Sequence, residues 1–374
     1  MKVLLVSSSS GSRGGGELFL IYLGKALAKR GHQVSLWASD HGRMDELCER
    51  FAPVGPVLRR PYRNTYDRRT RSVGAWLDGR TPGRIAPEWR AHDLIHINKQ
   101  NLEDGFELLA AARIAGRPTV ATVHLTQTAR YLGARFAWVR DGVARRALRA
   151  YPGEFAAVLD LRAEALSRFL GGRRAVSAIP NGVPLPERSA TPGVRAGIRV
   201  VGVGRMVAQK RPMLFLEEAA RVVKASRDAE VIWVGDGPLA GEWDRRVAEL
   251  GLGGRVRRVG WQADVGGYLA EADLFLHVAE YEGLPLAVLE AMAVGLPCAL
   301  SPNLAEELRF LDRSASRVVG ERDWGDVLRD RNGLAAMGKA AREIVEARFS
   351  CDAMALQYEA LYRHATDDHP TANP

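Results

Sequence analysis

The chain has 374 residues, 47% hydrophobic and 26% charged, ordinary values for a soluble globular protein of two domains. No apolar run approaches the roughly 18 residues of a membrane-spanning helix, and three distant cysteines, Cys48, Cys298 and Cys351, make no metal or redox spacing. The net charge of +9 is uneven: residues 1–182 hold 29 Lys and Arg against 16 Asp and Glu, and residues 183–374 hold 24 against 28.

The opening MKVLLVSSSSG has too short an apolar run for a signal peptide, and KVLLVS (2–7) reads as a first strand. GELFLIYLGKALAKRG (16–31) carries apolar residues at helical spacing and stops at a glycine; HQVSLWAS (32–39) is a second strand. This order predicts a parallel sheet with helices on both faces. The tract 59–90 has nine arginines and three acids, a patch suited to a phosphorylated acceptor, a membrane surface or nucleic acid. The chain uses 46 Arg and 7 Lys, so the same arginines also read as solvated surface from a coding bias. DLIHIN (93–98) and PTVATVH (118–124) are later strands, LEDGFELLAAARIAG (102–116) is an amphipathic helix, and helical pattern returns over 141–170. A strand begins at 175 and dissolves into the Pro/Gly-rich run up to 197, the clearest linker in the chain.

The pattern then restarts. Six strand candidates, at 198–204, 230–235, 255–260, 272–279, 296–301 and 315–320, alternate with helical segments. Two helices follow from 332 to about 365, meeting near Ser350–Asp352, before a tail expected to be disordered. The predicted division is an N-terminal Rossmann-like domain (1–182), a linker (183–197), a second Rossmann-like domain (198–350), a last helix (351–365) and the tail (366–374).

Three motifs carry chemistry. SSSSGSRGGGE (7–17) is a glycine-rich turn at a helix start, where backbone N–H groups can approach phosphate. Its spacing does not fit G-x-G-x-x-G, although Asp40 follows the second strand where a ribose-binding acid would lie. VGVGRMVAQKRP (201–212) puts Arg205 just past a strand end and Lys210 five residues on, a fork and a point charge suited to a diphosphate. EYEGLPLAVLEAMAVG (280–295) places Pro285 in the first turn of an apolar helix, with Glu282 before it and Glu290 within it. Burying a carboxylate costs several kcal/mol, roughly, unless it is paired. Glu290 therefore reads either as half of a buried ion pair or as a carboxylate accepting hydrogen bonds from a vicinal diol such as a ribose.

The run EADLFLHVAEYEGLPLAVLEAMAVGLPCALS (271–301) resembles the glutamate-seven-residues-glutamate signature of retaining GT-B glycosyltransferases, notably glycosyltransferase family 4. The glycine loop, NGV (181–183), VGRMVAQK and VGDGPL (234–239) fall in the family's order. The resemblance implies two Rossmann-like βαβ domains facing each other across a cleft, the first taking the acceptor and the second a nucleotide sugar. It implies a retaining, metal-independent transfer of a hexose-type sugar, a UDP-sugar being the first expectation, to a hydroxyl, with no cofactor. Glu282, His124, Arg205 and Lys210 would be catalytic. Glu290 would hold the ribose; Arg205 and Lys210, with Gly15 and Gly16, the phosphates. Glu282 and the backbone of Gly283, Leu284 and Leu286 would hold the sugar. The family's last helix crosses back onto the N-terminal domain. Val278, Ala279 and Pro285 depart from the common pattern, as does SPNLAEEL (301–308), which lacks the usual glycine pair; these bear on which sugar is taken.

Other enzymes of the same fold, a sugar phosphorylase or a sugar-nucleotide epimerase, are the nearest alternatives. A nucleic-acid-binding module is not expected, since no aromatic–basic interleaving or zinc spacing is present. The expected partners are the nucleotide sugar and a small-molecule or lipid-linked acceptor. The expected location is cytoplasmic, with peripheral membrane contact through the basic first half.

Overall fold

The computed structural model describes residues 1–11, 14–68, 71–194 and 196–368. Ser12 and Arg13 of the glycine loop, and 369–374 of the expected tail, lie outside them. Two compact units divide the chain: residues 1–182 together with the chain from Cys351 on, and Val183–Ser350.

The first unit runs β1 (Lys2–Ser7), α1 (Gly15–Lys29), β2 (Gln33–Ser39), α2 (Asp45–Phe51), β3 (Val57–Arg60), α3 (Arg71–Trp76), α4 (Arg80–Trp89), β4 (Leu94–Lys99), α5 (Phe106–Ala115), β5 (Thr119–Val123), α6 (Ala137–Arg149), β6 (Glu154–Ala157), α7 (Asp160–Phe169) and β7 (Ser177–Ala178). Its seven strands are parallel, in the order β3-β2-β1-β4-β5-β6-β7. Strand β1 is apolar because both faces of the sheet are covered. Leu4 and Val6 join one core layer with Trp89, Phe106 and Leu148. Val3 and Leu5 join the opposite layer with Leu20, Phe51 and Tyr358.

The second unit runs β8 (Ile198–Val203), α8 (Pro212–Ala225), β9 (Ala229–Val234), α9 (Ala240–Glu249), β10 (Val256–Arg258), α10 (Gly266–Ala270), β11 (Leu274–His277), α11 (Leu286–Ala293), β12 (Cys298–Leu300), α12 (Pro302–Glu307), β13 (Ser316–Val318), α13 (Trp324–Arg329) and α14 (Arg331–Arg348). Its six strands are parallel in the order β10-β9-β8-β11-β12-β13. Helix α15 (Cys351–Asp367) then packs on the first unit against α1 and β5.

In each sheet the strand order reverses direction once, at β1/β4 and at β8/β11. Open α/β sheets bind ligands beyond the strand C-termini at such reversals. Among the described residues no helix is long and apolar enough to cross a membrane.

Two expectations need correction. The helical stretch over 141–170 is two helices with β6 between them, because Pro152 and Gly153 break the first and a four-residue strand gives no helical period. Pro285 is not in the first turn: it caps α11 in an extended conformation, and the helix begins at Leu286.

Candidate functional site

At the β8/β11 reversal the loop after β8 is held by backbone contact before any side chain is placed. Trp233 Nε1 donates to the Gly204 carbonyl at 3.0 Å, Gly204 N–H donates to Val234 O at 3.0 Å, and Met206 N–H donates to Asp236 O at 2.8 Å. Gly235 and Gly237 allow this approach. A Cβ on Gly235 would sit 2.0 Å from the Gly204 oxygen, and one on Gly237 2.6 Å from the Met206 oxygen. The loop ends in a single 3-10 turn, Ala208–Lys210; Arg211 follows at φ +48°, and Pro212 opens α8 as its first residue.

This loop is stitched to the one after β11. Glu280 N–H donates to Gln209 O at 2.7 Å, and Gln209 Nε2 donates to Tyr281 O at 3.0 Å. From the far side Ser301 Oγ and Asn303 Nδ2 each donate to Ala279 O at 3.3 Å, Asn303 also donates to Glu280 O, and Glu307 Oε2 accepts the Glu282 N–H at 3.4 Å. The segment 301–308, which departs from the family pattern in sequence, is thus the brace of the Glu282 loop.

Within this frame the Glu282 carboxylate accepts from Lys210 Nζ, and its Oε1 also accepts from His277 Nε2 at 3.1 Å. All three side chains are largely buried. Burial alone would push the Glu282 carboxyl up. The Lys210 charge and the His277 hydrogen bond overrule it and hold the carboxyl at about 2. Burial likewise lowers the His277 ring, against the pull of Glu282. Gly283, Leu284 and Leu286 are buried on the turn entering α11. Glu290 is half-buried rather than sequestered: with Ala287 it lies on the more open side of α11. The carboxylate that carries the cost of burial is therefore Glu282, and not Glu290 as the apolar run suggested. Arg205 is exposed on the loop after β8, and its guanidinium makes no ion pair among the described residues.

The β1/β4 reversal in the first unit gathers Gly16 and His124 through a residue the sequence reading passed over. Asn98, next to the last residue of β4, donates from Nδ2 to the Gly16 carbonyl at 2.8 Å, which fixes its amide orientation. Its Oδ1 then accepts from His124 Nε2 at 2.6 Å, so the proton of the neutral ring sits on Nε2 and Nδ1 keeps a lone pair. Burial draws the His124 pKa down to about 4, and Phe19 of α1 meets the ring edge-on at 4.9 Å. Gly15 and Gly16 form the first turn of α1, whose leading N–H groups have no partner within the helix. Beneath, the buried Lys99 ammonium pairs with Asp104 at 3.2 Å, and the Asp104 carboxylate also accepts from Ser8 Oγ and the Gln100 N–H, tying the β1 and β4 loops together.

Of the expected residues, Lys210 and Glu282 touch, and Gly16 and His124 share Asn98. His277, Asn98, Asn303 and Glu307 were not singled out in sequence. His277 ends a predicted strand five residues before Glu282, and that position was the available signal.

Two parallel-sheet units, each with polar groups collected at its strand reversal, define the GT-B glycosyltransferase class. A family model described as Glycosyltransferase Family 4 matches residues 13–187, and one described as Glycosyl transferases group 1 matches residues 197–326. Between them they cover most of the chain, and the chain belongs to this glycosyltransferase family, as the motifs over 198–301 indicated. The fold is similar to that of HepE from Anabaena, crystallised in complex with UDP: TM-score 0.75 and 21% identity, over 97% of this chain and 100% of that one. In sequence the chain is 30% identical over 224 residues to the putative glycosyltransferase EpsF of Bacillus subtilis, covering 56% of this chain and 57% of that one. It is 34% identical over 142 residues to a UDP-Gal:alpha-D-GlcNAc-diphosphoundecaprenol alpha-1,3-galactosyltransferase of Escherichia coli, covering 34% of this chain and 36% of that one. The chain thus spans about half or less of the length of these curated relatives.

Proposed function

We propose that the protein transfers a hexose-type sugar from a nucleoside diphosphate sugar, UDP-linked in the first instance, to a hydroxyl acceptor, with retention and without a metal. The observation that carries this reading is the Lys210–Glu282–His277 cluster at the β8/β11 reversal, beside the start of α11. The UDP bound to HepE and the UDP-galactose named for the Escherichia coli relative support the choice of nucleotide.

Glu282, held ionised by Lys210, accepts hydrogen bonds from sugar hydroxyls, with the backbone of Gly283, Leu284 and Leu286 beside it. Glu290 accepts from the ribose diol. Arg205 and Lys210 neutralise the diphosphate as it departs, the charge a metal would otherwise supply. Gly15, Gly16 and His124 keep the roles given by the resemblance, with His124 entering as a neutral ring. The acceptor oxygen forms its bond to the anomeric carbon on the face from which the phosphate oxygen leaves. The acceptor proton passes to that phosphate oxygen, so the products are a glycoside and free UDP. The two glutamates are ligand-holding groups and not a glycosidase pair.

A calorimetric titration with UDP, GDP and ADP tests the donor. Glu290→Ala should weaken UDP binding by about tenfold or more, the worth of losing charge-assisted hydrogen bonds. If that variant binds UDP like the parent, the ribose assignment is wrong. The anomeric configuration of the product, read by NMR, tests retention. Release of sugar 1-phosphate on adding inorganic phosphate would instead identify a phosphorylase.

A further inference from the structure

The surface formed by α6, the turn before it and the end of α3 is not used by the reading above. Fourteen large apolar side chains are exposed among the described residues, and six of them fall here. Four of the five exposed aromatics, Trp76, Tyr131, Phe136 and Trp138, are in this set, with Leu77 and Leu132 beside them. Trp138 is 80% exposed, Leu77 68% and Phe136 63%. Solvated aromatics in such concentration mark an interaction surface.

The fold holds them outward. Asp141 of α6 accepts the backbone N–H of Ala129 at 2.7 Å and of Arg130 at 3.2 Å, pinning the turn that presents Tyr131 and Leu132. Phe136 caps α6 at φ +56°, a left-handed conformation rare for a bulky residue. On α6 itself Ala144, Ala147 and Leu148 face the core, while Trp138, Gly142, Arg145, Arg146 and Arg149 form one exposed stripe. The Arg146 guanidinium lies over the Trp76 ring at 6.0 Å and joins α3 to that stripe. From 128 to 149 the only acid is Asp141, which is occupied by the turn. Among the described residues no carboxylate pairs with Arg130, Arg135, Arg145, Arg146 or Arg149; Arg145 and Arg149 each donate once to a main-chain carbonyl, of Phe169 at 3.0 Å and Leu170 at 2.9 Å.

We propose that this face of the first unit seats on an anionic lipid bilayer. Trp and Tyr side chains settle at headgroup depth. Arginines left without carboxylates supply the complement to phosphate headgroups, and on the exposed stripe of α6 three of them follow Trp138. An acidic protein would meet the arginines equally well. The aromatics, however, stand apart on a turn, a cap and a helix and form no pocket, a shape suited to a bilayer. The inference stands on this surface alone and does not depend on glycosyl transfer.

The test is co-sedimentation of the full chain with vesicles of phosphatidylcholine alone and of phosphatidylcholine with phosphatidylglycerol in equal parts. The chain should sediment with the mixed vesicles, less at high salt, and its tryptophan emission should shift to the blue. Phe136→Ser with Trp138→Ser, and separately Arg135→Glu with Arg146→Glu, should each reduce binding by about tenfold or more. Their melting temperatures should stay at the parent value, and Trp261→Ser, an exposed tryptophan of the other unit, should bind as the parent does. The proposal is overturned if the chain ignores the mixed vesicles at low salt, if both double variants bind like the parent, or if the face instead dimerises two copies in sedimentation velocity.

Discussion

Lys210 and Glu282 show why a motif residue cannot be read only through its ligand. The pair is mostly buried, so each charge requires the other. Glu282 has its folded pKa at about 2, below the ordinary value of 4.5. It therefore stabilises the fold above about pH 4.5, and that stability is lost as the pH falls toward about 2. Lys210→Met leaves the carboxylate with burial and His277 alone and should cost about 3 kcal/mol at neutral pH. The cost should shrink on acidification, because the carboxyl now takes up its proton at higher pH. Adding Glu282→Gln should recover most of the loss. Urea denaturation at about pH 7 and about pH 4 reads both effects; equal stability of the single and double variants would show that the pair is not coupled. At this scale the sequence conveyed the two cations and the two glutamates, because the resemblance names residue types at fixed spacing. It did not convey His277 or Asn98, since a lone polar residue at a strand end has no period. It also misplaced the burden of burial onto Glu290, because the apolar run of α11 does not say which side of the helix the core covers.

At the level of elements, function depends on loops welded by backbone. The 204–206 segment reaches the 234–237 turn only because Gly235, at φ +137°, has no side chain. Gly235→Ala should cost about 2 kcal/mol or more, from the strained φ and the clash with the Gly204 carbonyl. It should also weaken UDP binding, because Lys210 lies on the displaced loop. A variant that keeps parental stability and UDP affinity would show that the loop adapts freely. VGDGPL is thus legible as a motif and explicable as a packing constraint. Helix α4 is the opposite case. Its buried residues Pro82, Ile85, Ala86 and Trp89 have helical spacing. Prolines, glycines and arginines surround them, and the breaker signals hide the period. Part of the basic tract is consequently structural: Arg68 pairs with Asp78 and Glu107, and Arg60 with Glu88. Arg145, Arg146 and Arg149 of α6, by contrast, have no carboxylate partner among the described residues, and there the helical pattern drew no attention to charge.

The whole molecule is a chain that leaves its first unit at Gly182 and returns to it at Cys351. The return is chemically specific. His96 of β4 bonds Tyr362 at 2.6 Å through Nδ1 and Thr122 at 2.8 Å through Nε2, and Thr122 also bonds Tyr358 at 2.8 Å. Arg30 donates twice to Glu359, at 2.7 and 2.9 Å, and His32 joins the same carboxylate at 2.9 Å. Met354, Tyr358, Leu361 and Tyr362 bury their side chains in the core layer that holds Val3 and Leu5. Burial of four such side chains is worth on the order of 8 kcal/mol, comparable to the whole stability of a domain. Ending the chain at Ser350 should therefore unfold the first unit. The second unit, contiguous from Val183 to Ser350 and with its own core, should stay folded. The expected result in calorimetry is loss of one transition and survival of the other, with UDP still raising the surviving one, since Lys210, Glu282 and Glu290 all lie in that unit. A truncated chain that keeps both transitions would show that α15 is dispensable. One that keeps a single transition no longer raised by UDP would place the nucleotide site outside the β8/β11 reversal.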